Sequence, residues 1–251
     1  MAKQSGLGDN FYIGGYDLSG DINSLGRIGG GPTALEFTAI NASAMERQGG
    51  LRDGAVEFAS FFNPSAGQAH PVLSALPTTD VHTAYFRGTT LGNPVACLVG
   101  KQANYDGSRQ QDGSFPFAAQ VLGSRYALEW GRSLTAGRRT DTGATNGGSV
   151  DFGTGSTSFG AQLYLQVFSF SGTDVTVTVQ ESSDDGSVDA FAGVTGGAFT
   201  QITSAPTVER LQTSRSQTVE RYLRAVTTTS GGFSSLVFAV VAVRNTTAVI
   251  F

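Results

Sequence analysis

Residues 173–181 read Thr-Asp-Val-Thr-Val-Thr-Val-Gln-Glu and alternate strictly between apolar and polar side chains after Thr173. Successive side chains of a strand point to opposite faces, so the three valines fill one face and the polar residues fill the other. Further strands are predicted around this one, at residues 161–170, 199–202, 208–212, 220–227 and 233–244. This spacing predicts a C-terminal β-sandwich of the jelly-roll or immunoglobulin-like kind.

The composition of the whole chain supports an all-β fold. Of 251 residues, 34 are glycine, 39% are hydrophobic and 14% are charged. Glycine and threonine disfavour helices, while the hydrophobic content and the net charge of -4 argue against a disordered chain. Lys3 and Lys101 are the only lysines, and together with a pI near 5.1 this argues against general nucleic-acid binding.

The N-terminal half also carries strand patterns, and two short helices are expected within it. Residues 1–33 are glycine-rich and predict a loop-rich entry with one strand near 11–16. Strands are then predicted at 35–40, 56–62, 81–87, 94–105, 114–122 and 126–130. Pro71 favours a two-turn helix over 71–76, and Ser43 with Glu46 forms a capping box that permits one or two turns ending near Gly49.

The segment 131–158 is rich in glycine, serine and threonine and has few residues to bury, which is typical of a linker or an extended connection. We therefore predict two domains. The first spans residues 1–148 and includes the linker, and the second spans residues 149–251. The N-terminal residues 1–6 lack the apolar core of a signal peptide, and no stretch approaches the roughly 18 apolar residues that a membrane span needs, so we expect a soluble chain.

The sequence offers few residues for catalysis. His70 and His82 are the only histidines, and Asp80 would share a strand face with His82, but no serine lies in a nucleophile-elbow setting. Cys97 lies in an apolar strand pattern and is expected to be buried. Trp130, at a predicted strand end, is expected to pack rather than to form a sugar platform. The chain is therefore predicted not to be an enzyme and to need no cofactor.

Metal binding is not predicted either. One cysteine and two separated histidines make no zinc-type cluster. Asp184, Asp185 and Asp189 could supply oxygen ligands to calcium, with Gly186 allowing a tight turn, but their spacing misses the EF-hand pattern and also suits a solvated hairpin.

The order of motifs over roughly residues 10–137 resembles the major tail tube proteins of long-tailed, siphovirus-type bacteriophages. In that family a strand and a long loop precede Gly-Leu-x-Asp-Gly, a strand, Phe-Phe and a helix. The corresponding residues here are Tyr16–Ile22, Leu35–Ile40, Gly50-Leu51-Arg52-Asp53-Gly54, Phe61-Phe62 and the expected helix 71–76. Val99–Tyr105 and Gly113–Gln120 look like the family's later paired strands.

The resemblance implies a virion protein that forms hexameric rings, which stack into the tube through which DNA passes without specific binding. A loop at about 41–55 would stack ring on ring, with Met45 and Leu51 as anchors and Arg47, Arg52 and Asp53 pairing across subunits; a solvated connection is the alternative. The candidate contact residues are Met45, Glu46, Arg47, Leu51, Arg52 and Asp53.

The resemblance also implies partners and a place in the cell. The partners would be other copies of the chain and the tape measure, tail-tip and terminator proteins, with no membrane. The protein would be made in the bacterial cytoplasm and end in the virion tail. The N-terminal domain would be a tail-tube-like sandwich or barrel, with residues 149–251 facing outward. The alternative is a capsid decoration or adhesion protein whose C-terminal sandwich binds host glycans.

Overall fold

The computed structural model describes residues 5–153 and 155–251, and in it strands make up 53% of the protein and helix 2%. The strands are β1 (Asn10–Ile13), β2 (Tyr16–Asp17), β3 (Ile22–Glu36), β4 (Arg47–Phe61), β5 (Val81–Phe86), β6 (Pro94–Gly107), β7 (Pro116–Gly123), β8 (Glu129–Ser133), β9 (Arg139–Asp141), β10 (Thr145–Asn146), β11 (Val150–Asp151), β12 (Ala161–Gly172), β13 (Thr176–Ser182), β14 (Ala192–Ala198), β15 (Thr207–Gln212), β16 (Tyr222–Thr228) and β17 (Phe233–Arg244). One short helix, α1, spans Ala69–Leu73. The predicted all-β class is confirmed, and the sheets do not close into a barrel.

The chain divides into two compact units that interleave along the sequence. The sandwich unit contains the residues up to Gly20, His82–Cys97 and Glu129–Phe251. The arm unit contains Asp21–Val81 and Leu98–Leu128.

The sandwich unit packs two sheets face to face. One has the order β15-β12-β17-β8-β6-β5-β1-β2, with β9 also paired to β17. The other has the order β10-β16-β13-β14, with β11 also paired to β16. Side chains such as Leu163, Leu165, Val177, Leu223 and Phe238 form one buried cluster between them. Two sheets whose inner faces share a core form a β-sandwich.

The alternating valines behave as predicted. Val175, Val177 and Val179 are all fully buried, and β13 pairs with β16 in a regular antiparallel register from Thr176 to Ser182. Burying one face in the core fixes the register, because a slip by one residue would expose all three valines.

The arm unit contains a sheet in which β4 lies between β3 and β7, and β7 pairs in turn with β6. Helix α1 is tied to this unit, since Gln102 donates to the Leu73 carbonyl at 2.7 Å and the Asp21 carboxylate accepts from the Ala69 amide at 2.8 Å. The helix expected over 71–76 is therefore present in part: α1 begins two residues earlier, ends three residues earlier at Leu73, and is shorter than the two turns predicted.

The expectation of a loop-rich entry at 1–33 is wrong for residues 22–33, which belong to β3. Glycine is what permits this pairing. A Cβ at Gly30 would lie 2.2 Å from the Asp53 carbonyl oxygen, so the two backbones approach more closely there than a side chain allows. Gly30 thus marks a close strand–strand contact in a segment where the sequence predicts a loop.

The helix expected near residues 43–49 is also wrong, because β4 begins at Arg47. Glu36 pairs with Arg47, Leu35 with Gln48 and Ala34 with Gly49. A capping box satisfies few amide groups in so short a segment, whereas pairing with β3 satisfies the backbone along its length. For the same reason the long loop expected over 41–55 is shorter, and its second half is strand.

Residues 131–158, expected to be a linker or an extended connection, contain the short strands β9, β10 and β11. β9 pairs with β17, and β10 and β11 pair with β16. The predicted division of the chain into residues 1–148 and 149–251 stays a prediction. Residues 1–4, part of the segment expected to lack a signal peptide, lie outside the described residues.

Candidate assembly interface

The most distinctive surface of the arm unit is a two-stranded ribbon, here called the arm and defined as residues 32–53. Its strands are the end of β3 and the beginning of β4. The third strand of the sheet, β7, pairs with β4 only from Ala55 to Phe61. Within the described residues the arm is thus supported by its own two strands, and a two-stranded hairpin is marginally stable by itself.

The arm exposes large apolar side chains on both strands and at the tip. The exposed fractions are 44% for Leu35, 61% for Phe37, 108% for Ile40, 58% for Met45 and 87% for Leu51. Single exposed apolar residues are ordinary, but five exposed large apolar residues on one ribbon are typical of an interaction site.

Local hydrogen bonds fix the shape of the tip. The Phe37 amide donates to the Glu46 carbonyl at 3.0 Å, and the Glu46 amide donates to the Thr38 hydroxyl at 3.0 Å. The Arg47 guanidinium contacts the Met45 sulfur at 2.8 Å. The tip is therefore a hydrogen-bonded loop rather than an unstructured connection.

All six predicted contact residues lie on the arm. Met45 and Glu46 are in the tip, while Arg47, Leu51, Arg52 and Asp53 are on β4. Their role in contacts between subunits stays a prediction.

The sequence missed Leu35, Phe37 and Ile40 as members of this surface. The sequence predicts a strand over residues 35–40, whereas β3 ends at Glu36 and both Phe37 and Ile40 lie in the tip. Gln48 lies opposite Leu35 in the strand register, and Gly49 lies opposite Ala34. These polar and glycine partners were the available signal, because a buried ribbon needs apolar partners across the strand.

The arm also carries charges of both signs, with three acidic and two basic residues between positions 32 and 53. Glu36 lies opposite Arg47 in the strand register. The Asp53 carboxylate accepts a hydrogen bond from the next amide, that of Gly54, at 2.7 Å. The surface is thus apolar and nearly balanced in charge, which suits contact with protein more than contact with a polyanion.

Of the residues weighed for catalysis, Asp80 is held by Lys101 at 2.8 Å, and the hydrogen bond from Lys101 lowers the pKa of Asp80. The backbone carbonyl of His82 accepts from the Gly14 amide and from the Gln166 side chain. Burial raises the pKa of Cys97 well above its ordinary value, as expected for a cysteine in the core. Trp130 is 51% exposed.

The aspartates weighed as calcium ligands take part in the structure of their own loop. The Asp184 carboxylate accepts from the amides of Ser187, Val188 and Asp189, and the Asp189 carboxylate accepts from the Ser183 amide. These amides lower the pKa of both carboxyl groups. Across residues 5–153 and 155–251, no three or more His, Cys, Asp or Glu residues are grouped so as to hold a metal ion.

A groove of about 360 Å³ lies on the sheet of the arm unit, against strands β3, β4, β6 and β7. Its lining includes small side chains such as Ala59 and Ala118 and the hydrogen-bonded pair Gln120 and Glu57, whose polar atoms are 2.9 Å apart. The lining mixes polar and apolar side chains, and among the described residues that form it Glu57 is the one ionisable group.

Comparison with known proteins gives structural neighbours only. No family model matches the chain, and no curated protein matches it. One solved neighbour is a chain of the virion of a native gene transfer agent particle, with 11% identity and a TM-score of 0.40; the match covers 51% of this chain and 98% of that one.

Two further neighbours cover nearly the whole chain. The SPP1 Dit protein, described as a hub adsorption-apparatus protein of phages that infect Gram-positive bacteria, has 13% identity and a TM-score of 0.33, and covers 92% of this chain and 98% of its own. A chain of the phage p2 baseplate in its activated conformation with Sr has 9% identity and a TM-score of 0.37, covering 96% and 99%. In the described part of this chain, no helix has the length and apolar character needed to span a membrane.

Proposed function

We propose that this protein is a structural subunit of a bacteriophage tail that assembles with copies of itself into rings. In the finer form of the proposal the rings are hexameric and stack into the tail tube of a siphovirus-type phage. The order of motifs over residues 10–137, which resembles that of major tail tube proteins, supports this assignment.

The single observation that carries the proposal is the exposed arm. A chain that acted alone would leave Leu35, Phe37, Ile40, Met45 and Leu51 in water. Burial of a large apolar side chain contributes roughly 1.5–3 kcal/mol, so five of them favour association substantially once a partner covers them. Part of that free energy is offset by the lost freedom of the partners.

Other copies of the same chain can cover these exposed apolar side chains. When one surface of a subunit binds a different surface of the next, the contact repeats and closes into a ring or continues as a stack. A ring of such subunits also covers the sheet edges that a lone sheet exposes. The acidic pI and the two lysines suit a lumen through which DNA passes without being held.

The direct test is assembly of the purified protein. We expect concentrated protein to form rings or tubes in negative-stain micrographs and large species in sedimentation velocity. Leu51→Asp should abolish assembly and leave the circular dichroism spectrum and thermal unfolding of the monomer unchanged, because Leu51 is 87% exposed.

Val188→Asp is the matched control, since Val188 is 93% exposed but lies in the 183–191 loop of the sandwich unit. It should assemble like the unmodified protein. A chain that stays monomeric at high concentration, even with tail-tip complexes added as nuclei, contradicts the proposal. Glycan binding by the full chain, with no ring or tube of it in the virion, would instead support the decoration or adhesion alternative.

A further inference from the structure

A second exposed apolar surface lies in the arm unit, here called the aromatic cluster. Its members are five rings in mutual contact: Phe62, His70, Tyr105, Phe115 and Phe117. Tyr105 and Phe117 stack with ring centres 4.4 Å apart, Phe115 and Phe117 meet edge to face at 4.6 Å, and Phe62 and His70 lie 4.6 Å apart. These distances are those of packed aromatic pairs.

Although its rings are packed together, the cluster is open to solvent. Phe62 is 42% exposed and Phe115 is 39% exposed, and the other three rings are only partly buried. The His70 ring nitrogen Nδ1 lies 3.4 Å from the Tyr105 hydroxyl, and burial raises the pKa of Tyr105. Neighbouring rings therefore hold the cluster in place, and its outer side has the size and chemistry of a receptor for apolar side chains.

Strand β4 carries the arm at one end and the aromatic cluster at the other. Leu51 lies near its beginning, and Phe62 follows its last residue, Phe61. Phe117 joins the cluster from β7, directly opposite Ser60 of β4. At about 3.3 Å per residue, the ten steps from Leu51 to Phe61 span roughly 33 Å.

A paired strand is stiff, so β4 keeps these two surfaces apart within one chain. Neither can cover the other in the same molecule, whereas in two molecules they can meet. The exposed parts of the five apolar arm residues and of the two outer rings amount to roughly 900 Å², if each side chain offers about 200 Å² when fully exposed. This approaches the roughly 1,000–1,200 Å² at which specific interfaces begin.

We propose that the aromatic cluster of one copy is the docking surface for the arm of a second copy of this chain. The inference rests on the proposed function, because it names the contact by which the subunits join. Each copy uses its arm once and its cluster once. The contact is therefore head to tail, which is the type that propagates into a ring or a stack.

Cross-linking between two differently labelled copies tests the contact itself. Ser43→Cys places a thiol at the exposed tip of the arm, and Ser114→Cys places one beside Phe115 without removing a ring. Cys97 is fully buried, so it does not compete for the reagent. The two variants are mixed at assembly concentration and treated with a short bismaleimide.

We expect a covalent dimer at least tenfold more abundant than in the control mixture, in which Ser187→Cys replaces Ser114→Cys. Ser187 is exposed and lies in the 183–191 loop. Rings or tubes that form without this cross-link overturn the inference and leave the proposed function intact. Cross-links confined to pairs of Ser43→Cys copies would mean arm-to-arm contact and would also overturn it. Protein that never assembles contradicts both.

Substitution of an outer ring gives a second, independent test. Phe115→Ser should raise the protein concentration needed for half-maximal assembly at least tenfold, while circular dichroism shows that the monomer remains folded, because Phe115 is 39% exposed. Val188→Ser is the control and should leave the assembly concentration unchanged. Equal assembly by the Phe115→Ser variant and the unmodified protein contradicts docking at the cluster.

Discussion

Two antiparallel strand pairs of similar length differ in how far their side chains are buried. In β12 and β17 of the sandwich unit, seven consecutive residues from Ala161 to Val167 are buried, so both faces of β12 are covered. In β3 and β4 of the arm unit, no residue of β3 is buried and the first seven residues of β4 are open to solvent. Hydrogen bonding between strands is therefore common to both pairs, and what differs is whether other parts of the chain cover the side chains.

The glycines follow the same division. β3 holds four and β4 holds three, whereas β12 holds one and β17 none. Glycine offers no side chain to pack and lowers the stability of a strand. The covered pair is built for stability of the single chain, and the open pair stores apolar surface that we propose is covered by another copy.

The largest expected effect comes from an ion pair that contacts the covered strand pair, between Glu129 of β8 and Arg210 of β15. Glu129 and Arg210 are 4% and 3% exposed at the side chain and pair at 3.1 Å, and the Tyr164 hydroxyl of β12 bonds to both. Arg210→Met leaves a carboxylate buried without its cation, which costs about 3–5 kcal/mol of unfolding free energy. Urea denaturation followed by circular dichroism measures it.

The matched control is Arg221→Met. Arg221 pairs with Asp151 at 2.7 Å, but the two side chains are 38% and 42% exposed. An exposed pair contributes less than about 1 kcal/mol. Equal losses in the two variants would show that burial does not set the strength of these pairs.

The next largest effect on the free energy of unfolding is expected where strands β6 and β7 of the arm unit pack closely. A Cβ at Gly100 of β6 would lie 2.1 Å from the Leu122 carbonyl oxygen of β7, so Gly100→Ala must move backbone and should cost about 1–3 kcal/mol. At Gly26 of β3 the nearest atoms are 3.7 Å away, so Gly26→Ala should be almost neutral. The comparison fails if Gly26→Ala proves the more damaging in urea denaturation.

These positions also show how far the sequence leads. The alternation at 173–181 predicts β13 because burial of one face follows directly from period-two spacing. Pro71 predicts α1 because a proline suits the first helical turn. The arm was not predictable in the same way, since its pairing, such as that of Pro32 with Arg52, depends on residues far apart in the chain.

The sequence predicts only some of the exposed apolar residues of the arm, because exposure also depends on the whole fold. Leu51 was selected through its place in a family-like motif, whereas Phe37 and Ile40 resemble core residues in sequence. Exposure is a property of what the fold leaves uncovered, and the apolar pattern of a strand does not distinguish a core face from an assembly face. Phe115 and Phe117 were seen as paired strand residues, but their contact with His70 required the fold.

A smaller effect is expected on the pH dependence of the free energy of unfolding, through Glu220 of the sandwich unit. Burial raises the pKa of Glu220 to about 7, with further contributions from Asp189, Glu181 and Asp184. Burial also raises the pKa of Glu181. Between about pH 4.5 and pH 7, Glu220 is therefore protonated in the folded chain but ionised in the unfolded chain, in which its pKa is the ordinary 4.5. The free energy of unfolding should therefore fall as the pH rises from about 4.5 to about 7.

Glu220→Gln removes this ionisation. Because Glu220 is partly open to solvent, we expect a gain of only about 1 kcal/mol at pH 8 and little change at pH 4. Urea denaturation at the two pH values measures the difference. A variant whose stability keeps the pH dependence of the unmodified protein would mean that another group carries it.

The smallest expected effect is that of an isoleucine-to-valine substitution, made once in the core of the sandwich unit and once at the tip of the arm. Ile202 is 2% exposed in the core of the sandwich unit, and Ile40 is 108% exposed at the tip of the arm. Ile202→Val should lower the free energy of unfolding by about 0.5–1.5 kcal/mol, the usual cost of one buried methylene, and Ile40→Val should change it by almost nothing. If the tip becomes buried when copies assemble, Ile40→Val acquires the same cost there, and the concentration for half-maximal assembly rises roughly two- to twelvefold. Urea denaturation of the dilute monomer and sedimentation of the assembled protein measure the two quantities separately. A loss of monomer stability in Ile40→Val equal to that in Ile202→Val would mean that the arm is already covered within the chain, and the contrast between the two strand pairs would then fail.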